Sequence, residues 1–172
     1  MKRIIVISIL AFICTLVLIP ISNGQMAKEG SGKGKSFYIL NFTMLPMEKE
    51  VVQVNYEGYG ISQGETEDNI FNNASIHVVG GTLATKGSYE NDSGLISFTR
   101  PDGDQIFATF KCAGQLGKTG KGTYTIVGGT GKLVGIQGQG EFSRFMLRPP
   151  AKGVGASYST TEGSWKIVEP TK

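Results

Sequence analysis

From residue 37 onward the chain alternates between short runs of aromatic and β-branched residues and short stretches rich in glycine, asparagine and aspartate. No long helical period competes with this pattern, so strands are the expected elements. Nine runs have strand character: 37–43, 51–61, 75–79, 82–89, 94–99, 105–112, 122–127, 136–146 and 157–168. Eight or nine short strands at this spacing predict an all-β sandwich or barrel.

The distribution of glycine favours the barrel. Ten of the 25 glycines lie between Gly114 and Gly140, and others fall inside strand runs, as at Gly58 and Gly60. A glycine within a strand weakens it unless the strand bends sharply or another part of the chain approaches closely. A small, strongly coiled barrel imposes both conditions. The sequence therefore predicts a single closed antiparallel β-barrel of about eight strands, which also removes exposed sheet edges.

The first 24 residues have the organisation of a secretory signal peptide. Lys2 and Arg3 form a basic start, an uncharged apolar run follows over residues 4–19, and small residues precede a predicted cut after Gly24. We therefore expect a secreted or periplasmic protein with no stable membrane span after cleavage. Two alternatives stay open, because the apolar run is close to the minimum for an uncleaved anchor and Cys14 could carry a lipid.

The remaining chain is predicted to form a leader and one domain. Residues 25–36 are small and charged, which predicts a flexible leader, and the barrel is assigned to residues 37–170. Within the barrel, residues 65–73 are expected to form a helical turn or a lid-like loop. Residues 148–157 contain two consecutive prolines, which predicts a long connection before the last strand.

Composition excludes several functional classes. Without the signal peptide the chain has 15 basic and 14 acidic residues, a net charge of +1, with no basic stripe of the kind that binds nucleic acid. Cys112 is then the only cysteine, so no internal disulfide is available, and a buried strand position is expected for it. His77 is the only histidine and is interpreted as a strand residue. One histidine and one cysteine do not make a zinc site, and no metal or other cofactor is predicted.

Two motifs invite a ligand interpretation but are better explained as turns. The sequence GGTGK at 128–132 resembles a phosphate loop, yet a glycine-rich strand-like run follows it where such a loop requires a helix. The sequence PDGD at 101–104 places Asp102 and Asp104 around a glycine, as in a calcium loop. A strand run follows directly, without the further oxygen ligands that calcium requires, so a hairpin turn is favoured.

The same segment carries a family resemblance. The sequence TYTIVGGTGKLVGIQGQGEF, preceded by PDGDQIFATF, resembles the secreted bacterial β-barrels grouped with the allene oxide cyclase and dirigent proteins. The matching positions are the turn at 127–131 and the glycine-containing strand at 134–140, and the resemblance covers about 72–142. It implies an eight-stranded calycin-like barrel, often trimeric in the cyclases and dirigent proteins, with a cavity for a hydrophobic small molecule. No catalytic residue of the cyclases can be placed on this chain.

Any chemical site is expected in the lumen of the barrel. The candidate lining residues, chosen by residue type and strand position, are Tyr56, Glu57, Glu141, Arg144 and Trp165. A buried carboxylate or guanidinium needs a partner, so Glu141 with Arg144, or either of them with Glu57, is the expected pair.

Three functions follow from these features. The leading hypothesis is a barrel that binds a hydrophobic small molecule or has a structural, non-catalytic role. The alternative is an allene-oxide-cyclase-like or dirigent-like cyclase or isomerase that confines a hydrophobic substrate. An extracellular interaction module is the third, and it would have a broad apolar patch outside the barrel and no interior space. Separately, the outer face of the barrel is expected to pack against another protein, such as a second copy in a homo-oligomer.

Overall fold

The computed structural model describes residues 27–169, so the predicted signal peptide over residues 1–24 lies outside the described residues. Eight strands follow one another in the chain: β1 (Glu29–Glu48), β2 (Val51–Gly64), β3 (Ala74–Thr85), β4 (Ser88–Thr99), β5 (Gln105–Gln115), β6 (Gly120–Gly129), β7 (Ile136–Ala151) and β8 (Val154–Ile167). Each strand pairs antiparallel with its neighbour in sequence, and β1 also pairs with β8. The predicted closed eight-stranded barrel is confirmed.

The two ends of the barrel differ. The connections β2–β3, β4–β5 and β6–β7 lie at one end, which we call the loop end, and include a single turn of 3₁₀ helix at Gly131–Leu133. The other four connections, β1–β2, β3–β4, β5–β6 and β7–β8, are short and define the turn end. The loop end is closed by apolar packing, because Ile70 from the β2–β3 loop and Leu133 from the 3₁₀ turn are buried in one cluster with Ile106 and Ile136.

The interior follows from strand alternation. On β5, Ile106, Ala108, Phe110 and Cys112 are buried while the residues between them face outward, as the sequence predicted. Most large inward side chains lie opposite an inward glycine on the neighbouring strand. The cross-strand pairs are Leu40–Gly58, Tyr56–Gly80, Phe110–Gly94, Tyr124–Gly140 and Phe142–Gly122. The glycines inside the strands therefore make room for rings in a narrow lumen.

Two segments that were not assigned to strands belong to strands in the structure. β1 begins at Glu29, so most of the predicted flexible leader is a strand, and its pairing with β8 helps to close the barrel. The leader was wrongly assigned because main-chain pairing needs no apolar side chains. Residues 148–157 do not form a long connection, since β7 runs to Ala151 and a short turn leads to β8. The two prolines lie where the β7–β8 register shifts, a position that strands allow them.

The predicted strands 75–79 and 82–89 also need correction. They are one strand, β3, up to Thr85, and the reversal occurs at Lys86 and Gly87, which both have positive φ as a type I′ turn requires. Gly80 and Gly81, which separated the two predicted strands, lie inside β3. A Cβ at Gly80 would lie 2.7 Å from the hydroxyl oxygen of Tyr56, so this glycine allows a close approach.

Candidate functional site

A cluster of four polar side chains crosses the middle of the barrel. Arg144 on β7 donates hydrogen bonds to Asp92 Oδ2 (2.6 Å) and to the Tyr89 hydroxyl (3.0 Å). Tyr56 on β2 donates to the other carboxylate oxygen of Asp92, at 2.8 Å. We call Tyr56, Tyr89, Asp92 and Arg144 the polar cluster. Because its members come from three strands, β2, β4 and β7, the cluster exists only in the folded barrel.

Burial makes the charges of this cluster strongly dependent on each other. The side chain of Asp92 is 1% exposed and that of Arg144 is 15% exposed. Burial alone would lower the pKa of Arg144, but the Asp92 carboxylate raises it, so the guanidinium stays charged. Burial, reinforced by the charge of Asp92, raises the pKa of Tyr56, so its hydroxyl stays protonated. The charged guanidinium of Arg144 therefore lies in a buried ion pair with Asp92, 2.6 Å from its Oδ2.

An interior cavity of about 90 Å³ adjoins the cluster on its loop-end side. We call it the inner cavity. Its wall is mainly aromatic and aliphatic, and the rings that line it are Tyr38, Tyr56, Phe71, Phe98, Phe110, Tyr124, Phe142 and Trp165. Arg144 is the only charged side chain of the polar cluster that lines it. The cavity extends to β1 at Lys33 and Lys35, so it reaches the rim of the barrel.

Two hydrogen-bonding atoms at this cavity lack a partner among residues 27–169. They are Nε of Arg144 and the hydroxyl oxygen of Ser157, which is 1% exposed. An unsatisfied buried polar atom costs about 1–3 kcal/mol. Both residues line the inner cavity, so a ligand oxygen placed there could accept from the guanidinium and bond to the hydroxyl.

The β2–β3 loop, residues 65–73, covers part of the inner cavity, which agrees with the predicted lid-like loop. Asn69 and Phe71 line the cavity, and Asn69 Nδ2 donates to the carbonyl of Lys33 at 3.1 Å. Phe71 packs on Phe98 with 4.8 Å between ring centroids. Ile70 is 1% exposed, and its carbonyl accepts from Arg100 at 2.9 Å. Hydrogen bonds at Asn69 and Ile70 and the packing of Phe71 therefore hold the loop in place.

Of the five predicted lining residues, three face the lumen. Tyr56, Arg144 and Trp165 line the inner cavity. Glu57 and Glu141 are exposed on the outer face, so the prediction that they face inward is wrong. Each lies next to an inward-facing residue on its strand. Because successive side chains of a strand point to opposite faces, both glutamates face outward. For the same reason Glu141 and Arg144, three residues apart on β7, cannot share a face, and the expected Glu–Arg pairs do not form in the described part of the chain.

The partner of Arg144 was missed by the sequence analysis. Asp92 lies in the sequence ENDSG, between the predicted strands 82–89 and 94–99, but the segment belongs to β4. The register between β4 and β5 shifts between Tyr89 and Asp92. This irregularity places both Tyr89 and Asp92 inward although they are three residues apart. The available signal was the excess of polar residues within a segment whose neighbours have strand character.

The outer carboxylate of Glu57 has its own partners. Glu57 Oε1 accepts from the Tyr59 hydroxyl at 2.9 Å and lies 2.7 Å from Nε2 of His77. The rings of Tyr59 and His77 stack, with centroids 4.9 Å apart. The hydrogen bond to His77 lowers the pKa of Glu57. His77 is a strand residue, as predicted, and this group of three lies on the outside of β2 and β3.

The two motifs that resemble ligand loops contact each other. Asp104 accepts a hydrogen bond from the main-chain N–H of Lys132 at 3.0 Å, and the Lys132 ammonium lies 3.4 Å from Asp102. Thr130 accepts from the N–H of Gln105 at 2.9 Å. The acidic groups of one motif thus satisfy donors of the other. The predicted turn interpretations account for both segments, which lie between β4 and β5 and between β6 and β7.

Within residues 27–169, no group of three or more histidine, cysteine, aspartate or glutamate side chains is arranged to hold a metal ion. In the same range, no helix has the length and apolar character needed to cross a bilayer.

Comparisons with known proteins assign no activity and no residue role to this chain. No protein-family model matches the chain, and no curated protein matches it. Among solved structures, the chain is similar to the pterocarpan synthase dirigent protein GePTS1, with 14% identity over 86% of this chain and 92% of that one, at a TM-score of 0.31. Similarity at this level supports no transfer of activity or residue role. The barrel assignment rests on the strand pairing of the chain itself.

Proposed function

We propose that the barrel binds a small hydrophobic molecule in its inner cavity, with an oxygen of the ligand against Arg144 and Ser157. The observation that carries this proposal is the pair of buried, unpartnered polar atoms in a cavity otherwise walled by rings. Such a site, mostly apolar with a few convergent polar groups, is the usual form of a small-molecule pocket.

The volume of the cavity limits the ligand. At about 90 Å³ it is smaller than the ~150 Å³ apolar cavity known to hold benzene. A single ring or the end of a longer molecule is therefore the expected inner occupant, with some movement of the wall. The remainder of a longer ligand would extend past Asn69 of the β2–β3 loop toward β1.

Trp165 offers a direct test, because it is the only tryptophan of the chain and lines the inner cavity. Phenol, one ring with one hydroxyl, is a suitable probe. We expect phenol to change Trp165 fluorescence saturably, and Ser157→Ala to weaken its binding by about 2- to 10-fold, the value of one hydrogen bond. Thr82→Val, which removes a buried hydroxyl outside this cavity, is the matched control and should bind phenol as the wild type does. A linear, non-saturating response would contradict the proposal and favour a structural role.

The second candidate is a cyclase or isomerase that acts on a hydrophobic substrate in the same cavity. It is favoured by Arg144 and the protonated Tyr56, which line the cavity and are both hydrogen-bonded to Asp92 behind its wall, since positioned acid–base groups contribute typically 10²–10⁴-fold to a rate. The test uses the molecule that co-purifies with the protein from its host. If the wild type converts it and Asp92→Asn binds it without conversion, the protein is an enzyme. If both leave it unchanged, it is a binding protein.

We also propose that the protein is exported and belongs to the allene oxide cyclase and dirigent superfamily of barrels. The export proposal is supported by the organisation of residues 1–24, and the superfamily proposal by the glycine turn and strand at 127–140 within a closed barrel. N-terminal sequencing of the exported protein should begin at Gln25. Retention of Met1 would contradict cleavage and favour the uncleaved anchor.

A further inference from the structure

A second cavity lies on the opposite side of the polar cluster. It has a volume of about 510 Å³, lies toward the turn end, and shares Leu40, Tyr56 and Arg144 with the inner cavity. The polar cluster therefore separates two spaces within one barrel. The volume of this turn-end cavity falls within the ~300–1,000 Å³ typical of small-molecule sites.

The walls of the turn-end cavity are mainly aliphatic and adaptable, with three aromatic rings among them. They include Phe42, Met44, Val54, Met146 and Val154, which come from β1, β2, β7 and β8. Methionine is unbranched and polarisable, so it adjusts to irregular apolar ligands. Three aromatic residues that line the inner cavity do not line the turn-end cavity: Phe98, Tyr124 and Trp165. The two cavities thus differ in chemistry, and this one suits a flexible chain better than a ring.

The polar groups of the turn-end cavity define the head group of its ligand. The charges of Asp92 and Arg144 are paired with each other at 2.6 Å. The hydroxyl of Thr82, by contrast, has no hydrogen-bond partner among residues 27–169, although the residue is only 5% exposed. Thr82 lines this cavity and does not line the inner one. The Thr82 hydroxyl therefore needs one hydrogen-bond partner, and a neutral donor or acceptor would supply it.

We propose that the turn-end cavity binds a linear aliphatic alcohol, with its hydroxyl on Thr82 and its chain between the methionines. This site is separate from the inner cavity and does not rest on the function proposed for it. A neutral head group fits because a carboxylate there would bring a second negative charge next to Asp92 in a buried space. Among residues 27–169, Lys152 is the one further cation at the cavity wall that a carboxylate could use instead.

The test measures the binding of n-octanol by titration calorimetry. We expect saturable binding to the wild type and affinity reduced by about 2- to 10-fold in Thr82→Val, which loses one hydrogen bond. Thr82→Val should fold at least as stably as the wild type, since it removes an unsatisfied buried hydroxyl. Met146→Trp, which places a bulky ring where the aliphatic chain is expected to lie, should weaken binding. Ser157→Ala is the matched control, because it removes the unpartnered hydroxyl of the inner cavity and should leave octanol affinity unchanged.

Three results would overturn the proposal. The first is equal octanol affinity in Thr82→Val and wild type. The second is an octanol-dependent change in Trp165 fluorescence, which would place the alcohol in the inner cavity. The third is tighter binding of octanoate than of octanol that disappears in Lys152→Ala, which would assign the cavity to a carboxylate. Failure of phenol to bind the inner cavity would leave all three readouts intact, so the two proposals fail separately.

Discussion

At the scale of single residues, the buried ion pair of Arg144 and Asp92 gives a prediction for the stability of the barrel. Arg144 is buried beside Asp92 and is held by two further hydroxyl groups, so removing it leaves a carboxylate without its counter-charge. We expect Arg144→Met to lower the free energy of unfolding by about 3–5 kcal/mol. Combining it with Asp92→Asn should recover much of this loss, because no uncompensated charge is then buried. Urea unfolding measures both, with the exposed Arg148→Met as control. Equal stability of the single and double variants would contradict the ion-pair account.

Tyr124 gives a prediction for alkaline pH. Burial raises its pKa from 10.0 to about 12. Because the folded-state pKa lies above the unfolded one, the stabilisation is fully present below pH 10 and is lost as the pH rises toward 12. The free energy of unfolding should therefore fall over this interval in the wild type and fall less steeply in Tyr124→Phe. Denaturant unfolding at several alkaline pH values measures the slopes, and identical slopes would show that Tyr124 contributes nothing.

At the scale of elements, the glycines inside strands provide a matched pair. A Cβ at Gly140 would lie 2.6 Å from two ring carbons of Tyr124 and closer still to the main-chain oxygen of Glu162, whereas a Cβ at Gly128 would have no atom within 4 Å. Gly140→Ala should therefore cost about 1–3 kcal/mol through overpacking. Gly128→Ala should be neutral or stabilising by up to about 1 kcal/mol, since it reduces the freedom of the unfolded chain. Thermal unfolding of the two variants measures the difference, and equal costs would disprove the packing explanation for these glycines.

Strands could be predicted from the sequence more reliably than their ends. The aromatic and β-branched runs gave the all-β class, and the glycines within them gave barrel closure, because both patterns reflect local physical requirements. The start of β1 was missed because residues 29–36 pair through their main chain alone. Gly80 was left outside the predicted strands 75–79 and 82–89 because sequence does not distinguish a glycine that ends a strand from one that makes room for Tyr56.

The candidate site was only partly predictable for a related reason. Tyr56, Arg144 and Trp165 were identified by residue type, and alternation alone would have excluded Glu57 and Glu141 once one inward residue of each strand was known. Asp92 required knowledge of the register shift between β4 and β5, which arises from pairing and not from a local motif. Contacts between distant strands were the information that the sequence lacked.

At the scale of the whole molecule, the outer surface supports a proposal of self-association. Phe37 and Ile61 are cross-strand partners on β1 and β2, as are Ile39 and Tyr59, and all four are exposed. Exposed apolar patches of this kind commonly mark interaction surfaces. We propose that a second copy covers this face and expect Ile61→Lys to lower the assembly mass in sedimentation experiments. Val127→Lys, at an equally exposed apolar position on β6, should leave it unchanged. A monomeric wild type would contradict the proposal.

The central claim is that the barrel holds a small hydrophobic molecule in its inner cavity, and native mass spectrometry of the mature protein from its own host tests it most directly. Ser157→Leu provides the comparison, because it fills the cavity of about 90 Å³ and replaces an unpartnered hydroxyl. The account predicts that the wild type and Thr82→Val carry a co-purifying small molecule that is absent from Ser157→Leu. A bare wild type, or a Ser157→Leu protein that retains every mass bound to the wild type, would contradict it.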